Sequence, residues 1–271
     1  MTTYAEAWRT WFPLIEQGAE PLSGRLIALA GIGGDRRVLD VGTGIGEPAL
    51  SAARALSSQG RVLAIDPDRH MLAIARERAA EAGVGNVEFL ECRAEDLEAE
   101  PGSSDAVLCR WSLMFVDDHA LTLARLRGLL RPGGHLAAAV WGSPERVPGL
   151  SLARRVVHRH FGRPPPAYGP KTAYALADVE AFAGALEAAG FVDVVREWVA
   201  VTWVFPSSRA YLRFRTDCTG SLFSGVGATT NADRAAARRA VAAALEAYRA
   251  SEGTFRMDND SCCLAARAPS T

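Results

Sequence analysis

Two carboxylates and three glycines stand where they could hold a cationic, sugar-bearing ligand. Asp40 lies two residues ahead of Gly42-x-Gly44-x-Gly46, and Asp66 follows Gly46 by 20 residues. Glycine permits positive φ and lets a ligand approach a backbone without a Cβ in the way. N–H groups at the start of the helix that follows suit a carboxylate or phosphate. The dinucleotide signature, G-x-G-x-x-G, has a different spacing. An anion at Asp40 disfavours a pyrophosphate and suits a ligand that carries an ammonium group and a sulfonium. A carboxylate at Asp66 accepts two hydrogen bonds at once, which matches the paired hydroxyls of a ribose. The simpler reading of Asp66 is a cap on the helix that begins near Asp68.

These residues need a strand before the glycines and a helix after them. Arg36-Arg37 lead into the apolar run Val38–Val41, and Pro48 to Leu56 is rich in helix formers. The second strand is Arg61–Asp66, closed by Pro67, and Met71, Leu72, Ala75 and Ala79 mark one buried face of the next helix. Strands follow at Val87–Glu91 and Asp105–Arg110. Asp117 or Asp118 caps a leucine-rich helix, and a fifth strand runs over His135–Trp141. This alternation predicts a mostly parallel, doubly wound sheet with its ligand at the carboxyl ends of the strands, where the strand order reverses.

The flanks are less regular. Trp8, Trp11, Phe12, Ile15, Leu22, Leu26 and Leu29 recur at helical spacing, while Pro13 and Pro21 predict two or three short helices over residues 4–30. Residues 142–177 are rich in proline around one helical piece, Leu150 to Phe161, as expected of a cover or substrate loop. Asp178 caps a helix that stops at Gly190, and a long strand follows from Phe191 to Phe205. Residues 206–230 read as irregular, Asn231 opens an Ala-rich helix, and a last strand lies near Ser261–Arg267.

Composition excludes several classes. The 271 residues carry 30 Lys plus Arg against 31 Asp plus Glu, a net charge of -1, which argues against a nucleic-acid partner. No apolar run is long enough to predict a membrane span, and no signal peptide is read at the start of the sequence. Five cysteines without C-x-x-C pairing predict reduced thiols and a cytoplasmic protein. His158 and His160 would point in different directions on a helix, so no metal site is expected. Ser112 and Ser143 lack the G-x-S-x-G setting of a hydrolase. The oligomeric state, monomer or homodimer, is not legible.

Asp40-x-Gly42-x-Gly44-x-Gly46, together with Leu129-Leu130-Arg131-Pro132-Gly133-Gly134 entering the fifth strand, resembles the class I S-adenosylmethionine-dependent methyltransferases. The whole pattern is similar to the ubiquinone/menaquinone-biosynthesis type and to related tailoring enzymes of natural products. The resemblance covers residues 35–141 closely and 178–268 by topology only. It implies an α/β, Rossmann-like, doubly wound sheet of seven strands, the last antiparallel and inserted beside the fifth. It also implies an N-terminal helical flap at 1–34, a cofactor-binding core at 35–141, and a cap insertion at 142–177. The rest of the core then lies at 178–271, with a helical insertion at about 206–252.

The cofactor implied is S-adenosylmethionine, with S-adenosylhomocysteine as product. Its implied contacts are Asp40, Gly42, Thr43, Gly44, Gly46, Asp66, Pro67, Met71, Ala94, Glu95, Cys109 and Arg110. Cys92-Arg93-Ala94-Glu95-Asp96-Leu97 is similar to the G-D-A-x-x-L element that reads the adenine edge, but Arg93 stands in the acid's place. The Ala94 N–H and the Glu95 side chain are then expected to take that role. Trp8, Trp111, Met114 and Phe115 are expected on the acceptor side. His158, His160, Tyr168 and His119 are the candidate bases, none of them compelling.

Methyl transfer to a small organic acceptor, of natural-product or quinone type, is the implied reaction. The alternative is a cyclase or other non-methylating protein of the same fold that keeps the cofactor structurally. Cys109-Arg110-Trp111-Ser112 does not resemble the N/D-P-P-Y/F element of amide- and adenine-methylating relatives. Phe161, Tyr168, Phe205, Tyr211, Phe214 and Phe223 are expected to contribute to an apolar acceptor cavity. Arg110, Arg213 and Arg215 are candidates for one anionic group of the acceptor, the latter two reading otherwise as a solvated helix face. Loss of Asp66 is expected to weaken cofactor binding with the fold intact.

Overall fold

The computed structural model describes residues 3–270. The chain begins with α1 (Tyr4–Leu29), then β1 (Arg37–Val41), α2 (Ala49–Ala55), β2 (Arg61–Asp66), α3 (Arg69–Glu81) and β3 (Val87–Glu91). It continues through β4 (Ser104–Arg110), α4 (His119–Leu129), β5 (Leu130–Trp141), α5 (Pro148–His160) and α6 (Val179–Ala188). It ends with β6 (Val192–Phe205), α7 (Ser208–Thr219), α8 (Asn231–Leu245) and β7 (Phe255–Arg267). The seven strands lie in the order β3-β2-β1-β4-β5-β7-β6. β1 to β5 pair in parallel, and β7 runs antiparallel to β5 from His135↔Arg267 to Trp141↔Ser261. The fold is therefore the Rossmann-like sheet expected, with its antiparallel last strand beside β5.

The described residues form two compact units. The larger comprises Glu20–Gly142, Gly169–Val199 and the chain from Ser261 on. In it β1 has β2 on one side and β4 on the other, so the order reverses between the ends of β1 and β4. β4 is buried along its whole length, and Leu136 to Val140 of β5 are equally inaccessible. Ala106–Cys109 and Leu136–Val140, covered on both faces, are apolar without a break, while Ser104, Asp105 and Arg110 are buried polar residues at the two ends of β4. Asp118 caps α4 by accepting from Leu121 N at 3.0 Å, and Asp178 caps α6 by accepting from Ala181 N at 3.0 Å.

The smaller unit contains the chain up to Ala19, Ser143–Tyr168 and Ala200–Asp260. Asn259 is its buried polar hub: Oδ1 accepts from Gly149 N at 2.7 Å, and Nδ2 donates to Val201 O and Met257 O at 3.0 Å. The Tyr211 hydroxyl accepts from Ala153 N at 3.1 Å and donates to Pro148 O at 3.4 Å. Phe214 packs edge-on against Trp11 and Trp203.

Two local expectations are corrected. α1 is one helix, although Pro13 and Pro21 lie inside it. An internal proline costs about 3 kcal/mol, and complete burial of Leu22 and Leu26 stabilises by about 1.5–3 kcal/mol each. Gly18 lets the helix run tight against the Thr202 carbonyl, since a Cβ there would stand 2.3 Å from that oxygen. The irregular stretch after Phe205 contains α7, capped by Ser207, whose hydroxyl accepts from Ala210 N at 3.1 Å. Tyr211, Phe214, Arg215 and Cys218 form its buried face. That face has helical spacing, but a charged Arg215 sits in the middle of it, which hides the pattern.

Candidate functional site

The glycine turn occupies the end of β1 beside the point where the strand order reverses, and the sheet holds it there. Gly42 N and Thr43 N both donate to Ile65 O of β2, at 2.8 and 3.0 Å, and Gly46 N donates back to Thr43 O at 2.9 Å. Glu47 closes the turn: its Oε2 accepts from the Ser51 hydroxyl at 2.7 Å, and its Oε1 lies 3.4 Å from Arg78. Arg78 also donates to the Ile45 carbonyl. Glu47 and Arg78 are bracing residues that the glycine spacing does not reveal.

Gly42, Gly44 and Gly46 all adopt positive φ. At Gly42 (φ 72) the space a side chain would need is filled by the protein itself: an added Cβ would stand 2.3 Å from Ser112 Cβ. The left-handed conformation costs a non-glycine residue about 1–2 kcal/mol, and overpacking adds about 1–3 kcal/mol. Gly42→Ala is therefore expected to lower the unfolding free energy by about 2–5 kcal/mol in urea titrations, with Ser112→Gly restoring the overpacking part. An alanine variant as stable as the wild type would contradict this packing.

Asp40 is fully buried at the base of the turn. Among the described residues neither carboxylate oxygen finds a partner at full hydrogen-bonding geometry, and the Thr43 and Ser112 hydroxyls are likewise buried and unpartnered. Burial pushes the Asp40 carboxyl up to about 7; Thr43, Arg110 and the Ala49 N–H pull it back, and Glu47 adds to the rise. A buried anion without partners is costly unless a cation joins it. This carboxylate and the two hydroxyls thus fit an incoming ammonium group.

Asp66 stands at the tip of β2. Its Oδ2 accepts from Gly44 N and its Oδ1 from Asp68 N, both at 2.9 Å. The helix cap proper is Asp68, which accepts from His70 N at 2.8 Å. Burial raises the Asp66 carboxyl above its ordinary range, against the pull of the two N–H groups. Each oxygen keeps acceptor capacity for a ribose hydroxyl. Pro67 is exposed beside it, and Met71 is buried with its methyl near Gly44.

At the adenine-reading element Ala94 is buried. Glu95 Oε1 accepts from Asp117 N at 2.8 Å and from Arg93 at 3.3 Å. Arg93, in the acid's place, turns to Glu95, Asp96 and Asp117, and Lys171 also pairs with Asp117. The substituted position has become part of a charge cluster.

The end of β4 is built with care. Cys109 is buried, which holds its thiol well above its ordinary pKa and makes it inert. Arg110 donates to the Ser23 hydroxyl at 2.7 Å and lies 5.2 Å from the Trp111 ring. Trp111 has φ 57, a left-handed backbone that a bulky residue seldom adopts. Three contacts hold it: its N–H on Ala139 O at 2.9 Å, its indole Nε1 on the Ser261 hydroxyl at 2.9 Å, and Trp141 stacked at 4.1 Å. Met114 is buried just beyond, while Phe115 is 50 % exposed. Neither Trp141 nor Ser261 was singled out in the sequence, because both reach Trp111 through sheet pairing.

The candidate bases differ in their surroundings. In the larger unit His119 is half-buried at the start of α4. In the smaller unit His160 is exposed, and His158 is buried with both ring nitrogens on backbone oxygens, Pro164 O at 2.9 Å and Ser224 O at 3.0 Å. Burial raises the Tyr168 phenol above its ordinary pKa, which opposes its use as a base. Trp8 lies in the smaller unit, half-buried. Phe205, Tyr211 and Phe214, expected along a cavity, are instead fully buried in ring-on-ring packing. Arg213 is exposed and paired with Asp217, whereas Arg215, expected on a solvated face, is buried. Among the described residues no group of three His, Cys, Asp or Glu is placed to hold a metal ion, and no helix is long and apolar enough to cross a membrane.

Residues 38–134 match the family described as methyltransferase domain. A ubiquinone/menaquinone biosynthesis C-methyltransferase, UbiE, of Marinomonas sp. (strain MWYL1) is 31% identical over 144 residues, 53% of this chain and 56% of that protein. The chain spans about half the length of the curated relatives it matches. Phosphoethanolamine N-methyltransferase 2 of Haemonchus contortus, solved with S-adenosylmethionine, aligns over 98% of this chain and 57% of its own, with TM-score 0.59 and 20% identity. The [4+2]-cyclase SpnF aligns over 94% and 83%, with TM-score 0.56 and 23% identity. At these identities the two structural likenesses show a shared fold.

Proposed function

We propose, from the premise that this chain carries a class I S-adenosylmethionine-dependent methyltransferase domain at residues 38–134, that it methylates a small organic acceptor. The observation that carries the reading is the buried, unpartnered Asp40 carboxylate under a glycine turn whose next strand ends in Asp66. The cofactor, when bound, supplies an electrophilic methyl group on a sulfonium. Asp40, with the Thr43 and Ser112 hydroxyls, would hold its ammonium group, and Asp66 its ribose hydroxyls. Trp111, fixed by Trp141 and Ser261, gives the end of β4 a rigid aromatic wall, and rigid positioning is the protein's main contribution to group transfer.

The acceptor class follows from charge and from the relatives' names. A net charge of -1 offers no bulk attraction to a polyanion, and the curated relatives act in quinone biosynthesis. We therefore favour an uncharged or weakly polar aromatic acceptor of quinone or polyketide type. The test is incubation with S-adenosylmethionine and a panel of such phenols and quinols, read by mass. A gain of about 14 Da on an acceptor, with matching S-adenosylhomocysteine, is expected. Ring closure without change of mass, or a methylated peptide or oligonucleotide as the product, would contradict the reading.

A further inference from the structure

The smaller unit holds a buried cation that no anion of its own balances. Arg215 on α7 is 5 % exposed. Its Nε and Nη1, three N–H donors between them, have no hydrogen-bond partner, and among the described residues it makes no ion pair within 4.0 Å. Tyr211, one helical turn earlier on the same face, fixes where that face points, because its hydroxyl receives the Ala153 N–H of α5. The residue after Ala153 is Arg154, whose Nε is also buried and unpartnered.

Arg154, Arg155 and Arg215 all act on the Tyr168 phenol, with Glu145 the opposing charge. Only Arg155 has that carboxylate as a partner, at 3.8 Å. Burial keeps the Tyr168 phenol protonated and hence able to donate. A guanidinium out of water is stabilised when a carboxylate joins it in hydrogen-bonded contact.

We propose that Arg215 and Arg154 form the binding site for the carboxylate of a small organic molecule, with the Tyr168 phenol as a further donor. The apolar surroundings favour an organic acid over a strongly hydrated inorganic anion. Tyr211 and Phe214, buried with Arg215 on α7, make its surroundings apolar and keep water from it. The inference concerns this site alone and does not depend on methyl transfer.

Benzoate, with uncharged benzamide as its control, tests it on the full chain. Calorimetry and thermal melting should show benzoate bound at least about tenfold more tightly than benzamide. Arg215→Met should abolish that preference, while its melting temperature without benzoate stays at or above the wild type, because an unbalanced buried charge is gone. Arg154→Met should reduce the preference several-fold and serves if Arg215→Met does not fold. Equal binding of benzoate and benzamide, or a preference unchanged in these variants, would overturn the site. So would an Arg215→Met protein that folds but melts well below the wild type, since Arg215 would then support the fold alone.

Discussion

Asp66→Ala is expected to weaken S-adenosylmethionine binding roughly 30- to 1,000-fold, the loss of two charge-assisted hydrogen bonds at about 2–4 kcal/mol. The structure adds a second effect. The same carboxylate accepts the N–H groups of Gly44 and Asp68, so it fastens the glycine turn to the tip of β2. Alanine leaves both donors without partners, and the fold itself should lose about 1–2 kcal/mol. The expectation of an untouched fold is revised accordingly. Asp66→Asn, which keeps one carbonyl oxygen, should recover part of the stability and little of the affinity. Calorimetric titration beside urea unfolding separates the two effects, and an unchanged dissociation constant for Asp66→Ala would remove the ribose role.

Asp40→Asn should act in opposite directions on the free protein and on its complex. The Asp40 carboxyl is pushed up to about 7 in the fold, from an ordinary value of 3.8. The folded state therefore holds a proton that the unfolded chain releases between those values. The resulting stability is present below about pH 4, is lost as pH rises toward about 7, and amounts to at most about 4 kcal/mol. The amide side chain of the Asp40→Asn variant cannot ionise, so that protein should lack this decline and unfold at higher urea than the wild type at pH 8. Binding runs the other way, because an ammonium group needs the carboxylate. Wild-type affinity should fall about tenfold per pH unit below about 7, and Asp40→Asn should bind about 10- to 100-fold more weakly at pH 8 without that dependence. Equal stability of the two proteins at pH 8, or a wild-type affinity indifferent to pH, would contradict the assignment.

What was legible in the sequence was local. The turn of Gly42, Gly44 and Gly46 between a β-branched run and a helix-forming run announces itself through backbone conformation, and Asp118 and Asp178 are caps by position. Ala106–Cys109 of β4 and Leu136–Val140 of β5 read as strand because burial on both faces leaves no polar alternation there. The antiparallel β7 came with the family resemblance.

What escaped was set by contacts distant in the chain. Trp111 is held by Trp141 and by Ser261, which lies 150 residues onward. Gly42 is glycine because Ser112 fills its side-chain space, which no spacing rule states. Residues 208–219 hid a helix because a buried arginine interrupts its apolar face. Pro13 and Pro21 pointed to broken helices, while the burial of Leu22 and Leu26 helps keep α1 whole. Phe205, Tyr211 and Phe214 looked like cavity aromatics and became core, since only packing decides between the two.

The central claim is that the turn between Asp40 and Asp66 holds S-adenosylmethionine and no dinucleotide. Titration of the wild-type chain with S-adenosylhomocysteine and with NAD, beside Asp40→Asn and Asp66→Ala, tests it most directly. Saturable one-to-one binding of S-adenosylhomocysteine, weakened in both variants, with no heat from NAD, is the predicted result. Binding of NAD, or binding of S-adenosylhomocysteine that neither substitution changes, would contradict it.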